Sequence, residues 1–176
     1  MRFAYADPPY PGQAHKYRQH TDYAGEVDHA KLIEELTTYD GWALSTSAIA
    51  LPAVLPLCPP TVRLAVWHVT NSEPPGYRGT WWWCWEPVIL TTPRAPGPVP
   101  VRNLLSTYAP TGFLGNELPG QKPETFSRWL FHLAGLGPDD AFVDMFPGSG
   151  AVGRAWTAWT RQRSLFYAAG PDPRFG

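Results

Sequence analysis

Phe3-Ala4-Tyr5-Ala6-Asp7-Pro8-Pro9-Tyr10 is the stretch on which the reading of this chain turns. Four apolar residues form a run short enough for a buried strand, and Asp-Pro-Pro ends it, because proline offers no amide donor to a sheet ladder. The strand therefore carries an acid, two prolines and an aromatic ring at its C-terminal end. Outward from it, Val27, Leu32, Ile33 and Leu36 fit helical spacing over residues 27–39, with Asp28 at the N-cap position. Residues 42–46 read as the next strand. Residues 49–57 read as a short helix kept irregular by Pro52 and Pro56, and 62–69 as a third strand.

Residues 70–85 then change character, with prolines, glycines and the run Trp81-Trp82-Trp83-Cys84-Trp85, and are expected to form a long loop. Strand character resumes at 86–91. A second Pro- and Gly-rich loop is expected over 92–121. From Pro123, suited to a first helical turn, Phe126, Trp129, Leu130 and Leu133 recur at i, i+3, i+4 and i+7. A strand over 141–145, a helix over 150–160 and a final strand over 164–168 complete the reading. Alternating strands and helices predict an α/β fold, a mainly parallel sheet with helices on both faces. The 176 residues, 44% of them hydrophobic, suffice for a single domain spanning 1–176. The loops 70–85 and 92–121 are its candidate recognition elements.

Composition excludes several classes. A formal net charge of −1 provides no global basic field, so any contact with nucleic acid must be local. Cys58 and Cys84 stand far apart with no Cys-x-x-Cys, and the five histidines lack ligand spacing, so neither a disulfide framework nor a metal site is expected. No basic-then-apolar leader precedes Asp7 and no apolar run could span a bilayer, so the mature chain is expected to start near Met1 in a reducing cytoplasm. The 21 prolines are interleaved with aromatic residues, nine of them tryptophan, which suits ordered loops better than a disordered linker.

Ligands of open parallel sheets bind beyond the carboxyl ends of strands, where loops diverge at a switch point. Two turns qualify here: Asp7-Pro8-Pro9-Tyr10, and Asp144-Met145-Phe146-Pro147-Gly148-Ser149-Gly150 between a strand and a helix. The glycines let backbone approach a ligand, and the helix that follows presents its first amides to a polar group. A Gly-Ser-Gly turn alone is as well explained by structure as by function.

The two turns together resemble the beta-class DNA amino-methyltransferases. Three blocks carry the likeness in order: Ala6-Asp7-Pro8-Pro9-Tyr10, Gln121-Lys122-Pro123-Glu124, and Val143 through Gly150. The resemblance implies a Rossmann-like methyltransferase fold in permuted order, catalytic strand before cofactor strand, and S-adenosyl-L-methionine as cofactor. It implies that Lys122, Asp144, Phe146, Pro147, Gly148, Ser149 and Gly150, with Asp7 beside them, hold that cofactor. Asp7, Pro8, Pro9 and Tyr10 are implied as the catalytic turn. An exocyclic amino nitrogen is a poor nucleophile, since its lone pair is delocalised into the ring. The Asp7 carboxylate and Pro8 carbonyl would accept its two hydrogens while Tyr10 stacks on the base. Direct in-line displacement then depends on positioning.

Within that resemblance, Asp at the first position of the turn implies adenine, because the family's cytosine enzymes more often carry Ser there, and the family implies DNA. A more distant resemblance is to the messenger-RNA adenosine methyltransferase family, through Trp67-His68-Val69-Thr70-Asn71 and Lys122-Pro123, although that family has Trp where Tyr10 stands. His15, Lys16, Tyr17, Arg18 and Asn71 are the candidate substrate contacts. DNA is the expected partner, with no membrane, and a homodimer is left open. The alternatives are RNA adenosine, DNA cytosine or a free small molecule as substrate, or a catalytically idle nucleic-acid-binding module. Where the family places a ribose-binding acid after the next strand, only Asp172 stands near, and late.

Overall fold

The computed structural model describes residues 1–12, 14, 25–72, 81–95, 100–110 and 121–168, with side chains as far as 162. Strands β1 (Arg2–Ala6), β2 (Gly41–Ser45), β3 (Arg63–Val69), β4 (Trp85–Thr91), β5 (Leu104–Thr107) and β6 (Ala141–Asp144) form one sheet in the order β5-β3-β4-β2-β1-β6. β1 is parallel to β2 and β6, and β3 is parallel to β5. Only β4 is reversed, antiparallel to β2 and β3. The mainly parallel sheet expected from the sequence is therefore present, and the carboxyl ends of five strands share one edge with the start of β4.

Helices cover both faces. Strand alternation sends Phe3 and Tyr5 to one side, where they meet Trp67 of β3, α3 (Glu124–Leu133) and α4 (Ala151–Ala168). Ala4 and Ala6 point the other way, into a cluster with Trp42, α1 (His29–Leu36) and α2 (Leu51–Val54). Residues 3–6 are buried on both faces, which is why β1 reads as an unbroken apolar run. Asp28 caps α1 as expected, accepting the Lys31 amide at 3.2 Å, and Leu32, Ile33 and Leu36 fill its inner face. Each such aliphatic side chain contributes about 1.5–3 kcal/mol by burial. Pro52 and Pro56 do keep the next helix short: α2 has four residues and gives way to a 3-10 turn over Leu55–Leu57.

Two expectations need correction. Residues 164–168 are no strand but the end of α4, which runs unbroken from Ala151 to Ala168. No glycine or proline stands between Gly153 and Gly170, and Arg161-Gln162-Arg163 are good helix formers, so the Leu-Phe-Tyr run simply continues the helix. A short apolar run does not distinguish strand from buried helix. β6 is consequently an edge of the sheet among the described residues. The second correction lies within 92–121, where β5 pairs with β3, Val66 opposite Leu104 and Val69 opposite Thr107. Among the described residues no helix is long and apolar enough to cross a membrane, and no group of three or more His, Cys, Asp or Glu could hold a metal ion.

Candidate active site

The parallel pairing of β1 and β6 sets Tyr5 opposite Asp144, and the Met145 amide donates to the Tyr5 carbonyl at 2.9 Å. The Asp7 turn and the Asp144 to Gly150 loop thus leave adjacent strands at the same edge. Four residues converge beside the first turn. Lys122, placed just before α3, donates from Nζ to Asp7 Oδ2 at 2.9 Å and to Glu86 Oε2 at 3.0 Å. The Tyr10 hydroxyl donates to the same Glu86 oxygen at 2.8 Å. Glu86 sits in β4 opposite Trp67, and the ammonium lies 5.4 Å from the Trp67 ring and 5.8 Å from the Phe126 ring.

Electrostatics follow from this enclosure. The Lys122 side chain is 3% exposed. Burial works against its charge, but Asp7, Tyr10, Glu86 and Tyr5 outweigh it and hold the ammonium well above the ordinary lysine range. Burial pushes the Asp7 carboxyl up; Lys122 opposes the shift and the neighbouring Glu86 charge adds to it. The phenols of Tyr10 and Tyr5 are driven well above the usual value, first by burial, so both remain protonated. Tyr5 shares a 2.8 Å hydrogen bond with Ser45, which ties β1 to β2 beneath the turn.

Asp144 differs. One carboxylate oxygen accepts the Phe146 amide at 3.3 Å, while the other, Oδ2, is buried with no hydrogen-bond partner among the described residues. Burial raises this carboxyl to about 6, the Phe146 amide opposes the shift, and the Asp7 charge reinforces it. Beyond it the loop folds tightly, with the Gly150 amide 2.6 Å from the Pro147 carbonyl. Gly148 and Gly150 have φ of 48° and 72°, conformations that a side chain disfavours. Arg154 reaches back from α4 to the Ser149 carbonyl at 2.7 Å. A groove of about 470 Å³ runs between the starts of α3 and α4, walled by Lys122, Glu124, Pro110, Ala151, Arg154 and Ala155 among others. Lys122 belongs both to this wall and to the Asp7 cluster.

The structure therefore brings together Asp7, Pro8, Pro9, Tyr10, Lys122 and the loop from Asp144 to Gly150. His15, Lys16, Tyr17 and Arg18 lie outside the described residues. Asn71, expected at the substrate, spends its carboxamide on the backbone of Ala109, donating to the carbonyl at 3.0 Å and accepting from the amide at 2.8 Å. It fastens the segment after β5 to the turn after β3. Sequence reasoning missed Glu86 and gave Trp67, quoted only for a family likeness, no place beside Lys122. The available signal was a lone carboxylate at the start of an otherwise apolar strand, Trp85-Glu86-Pro87-Val88-Ile89-Leu90, where burial demands a charged partner.

The arrangement is an α/β, Rossmann-like fold whose two candidate turns share one edge of the sheet. Among solved structures the chain is similar to M1.HpyAVI in its complex with SAM, with a TM-score of 0.63 and 12% identity over 91% of this chain and 78% of that one. It is also similar to M1.HpyAVI in a second crystal structure, with a TM-score of 0.57 and 15% identity over 90% of this chain and 76% of the other. At these identities the likeness establishes the fold. No protein-family model and no curated protein matches the chain.

Proposed function

We propose that this chain is an S-adenosylmethionine-dependent methyltransferase acting on the exocyclic amino group of adenine in DNA. The observation that carries the reading is the adjacency of β1 and β6, with Tyr5 opposite Asp144, which sets the Asp-Pro-Pro-Tyr turn and the glycine loop side by side at one edge of the sheet. The fold shared with M1.HpyAVI, one of whose structures contains SAM, supports the same reading.

The residues present suit that cofactor. The buried Asp144 oxygen, which has no hydrogen-bond partner among the described residues, fits an ammonium group, and Lys122, with one N–H beyond its bonds to Asp7 and Glu86, fits a carboxylate at the groove it walls. When bound, the sulfonium would supply the methyl group. This chain's own residues do the rest. Asp7 and the Pro8 carbonyl accept the two hydrogens of the target amine and draw its lone pair out of the ring. Tyr10 offers its face to the base, and Glu86 holds that ring in place through the phenol. Lys122, charged throughout, keeps Asp7 oriented.

Methyl-labelled S-adenosylmethionine, incubated with the full chain and unmethylated DNA or RNA, tests the proposal. Label recovered on the amino nitrogen of adenine in DNA is expected. Label on RNA alone, or on cytosine, would overturn the substrate, and no label on any nucleic acid would overturn the activity.

A further inference from the structure

The edge of the sheet that carries Asp7 and Tyr10 also carries an unusual surface. Trp81, Trp82 and Trp83 immediately precede β4 and are 80%, 53% and 47% exposed; Tyr108, directly after β5, is 71% exposed. These four are the exposed aromatic side chains among the described residues. The Val69 amide donates to the Cys84 carbonyl and the Thr70 amide to the Thr107 carbonyl, which fixes both segments beside the end of β3. Glu86, holding Tyr10, lies three residues beyond Trp83. Exposed Leu64 and Leu104, by contrast, stand near the starts of β3 and β5, toward the opposite edge. Toward the site's edge, exposed Ile49 and Val143 stand singly, whereas the three tryptophans are consecutive.

Among the described residues, which do not include Lys16, Arg18 and Arg78, charge is segregated the other way. Arg2, Arg63, Arg94 and Arg102 lie at the ends of strands remote from the site. Toward the site's own edge, among the described residues, Lys122 is enclosed by carboxylates, Arg154 is bonded to Ser149, and the exposed Lys31 at the start of α1 pairs with Asp28. A duplex hides its base faces and offers phosphates, whose capture requires clustered cations. Unpaired bases offer faces that stack on exposed tryptophan without regard to sequence.

Resting on the methyltransferase reading above, we infer that Trp81, Trp82, Trp83 and Tyr108 form a stacking platform for the unpaired bases flanking the target, so that the substrate is single-stranded DNA rather than a duplex. The target adenine then needs no extrusion from a stack before it meets Tyr10.

The test uses the full chain and a fluorescent oligodeoxynucleotide of mixed sequence offered single-stranded, as a duplex, as the matching RNA, and with abasic sites flanking the adenine. Single-stranded DNA is expected to bind at least about ten-fold more tightly than the duplex or the abasic strand, with a shallow salt dependence. Trp81→Ala and Trp83→Ala should each weaken it by roughly ten-fold while the circular dichroism stays unchanged. Equal or tighter duplex binding, or an abasic strand bound as well as the intact one, overturns the proposal even if the variants fail to fold. Tighter binding of the RNA overturns the choice of DNA. Variants that alter sedimentation but not oligonucleotide affinity would make the patch an interface between copies of this chain. Stacking-dependent binding without methyl transfer would sink the enzymatic reading and leave the platform standing, whereas methylation of duplex by the tryptophan variants at the normal rate would do the reverse.

Discussion

The turn after β1 and the loop after β6 leave adjacent strands at the same edge of the sheet, yet they are built on opposite principles. Asp7, Tyr10, Glu86 and Lys122 satisfy one another, so the first cluster is complete within the chain. Asp144 keeps a buried oxygen with no partner among the described residues and a carboxyl raised to about 6. A self-satisfied polar network stays rigid before anything binds, which suits a group that must orient a reacting amine. A buried acceptor left open is costly until a donor arrives, which suits a group that selects a cation. Under the proposed function, the contrast separates a preorganised catalytic half from a ligand-completed half.

Lys122→Met should break the first half most severely. It strands Asp7 and Glu86 together without their cation, and loss of one partner from a buried ion pair costs about 3–5 kcal/mol. Urea unfolding should show a loss of that size, and an unchanged midpoint would mean that the cluster is not the closed unit described. Asp7→Ala comes next: methyl transfer should fall by about 10²–10³-fold, as for removal of a group that stabilises developing charge, with cofactor binding largely intact. Calorimetry showing lost cofactor affinity instead would reverse the division of labour between the two turns.

Asp144 should give a smaller, pH-dependent signature. Its folded-state value of about 6 lies above the ordinary 3.8, so the folded chain binds this proton more tightly than the unfolded one. That contribution to stability is present at low pH and is lost as pH rises through about 6. Cofactor affinity should move the opposite way, weakening below about pH 6 as the carboxyl neutralises and its attraction for an ammonium disappears. Asp144→Asn should flatten both profiles, as read by thermal melts and by calorimetry across that range. The smallest effect belongs to Tyr10→Phe, which removes one hydrogen bond worth about 0.5–1.5 kcal/mol but leaves the ring. A several-fold rise in KM with stability barely altered is expected, and a total loss of turnover would show that the hydroxyl does more than hold the ring.

Much of this arrangement was legible in the order of residues. The run from Phe3 to Ala6 ending in Asp-Pro-Pro, the cap at Asp28, the helical repeat from Phe126 to Leu133 and the strand before Gly148 are local signals, decided by proline geometry and apolar spacing within a few residues. β5 was not legible because Leu104-Leu105-Ser106-Thr107 is too short to show a period and becomes a strand through its ladder with β3. The end of α4 was misread for a related reason: apolar content alone does not say whether a run pairs with a neighbour or continues a helix.

The site divides in the same way. The sequence alone determined which polar and aromatic side chains stand at the turns, Asp7 with its prolines and Tyr10 on one strand end and Asp144 with its glycines on another, because strand ends and tight turns are local properties of the backbone. Only the tertiary structure decided that Glu86 joins Tyr10 to Lys122, that Asn71 is spent on Ala109, and that the exposed aromatic rings gather where the arginines at the strand ends do not. Those pairings span up to 76 residues of chain, and a contact at that separation is fixed by sheet order and burial rather than by any spacing in the sequence.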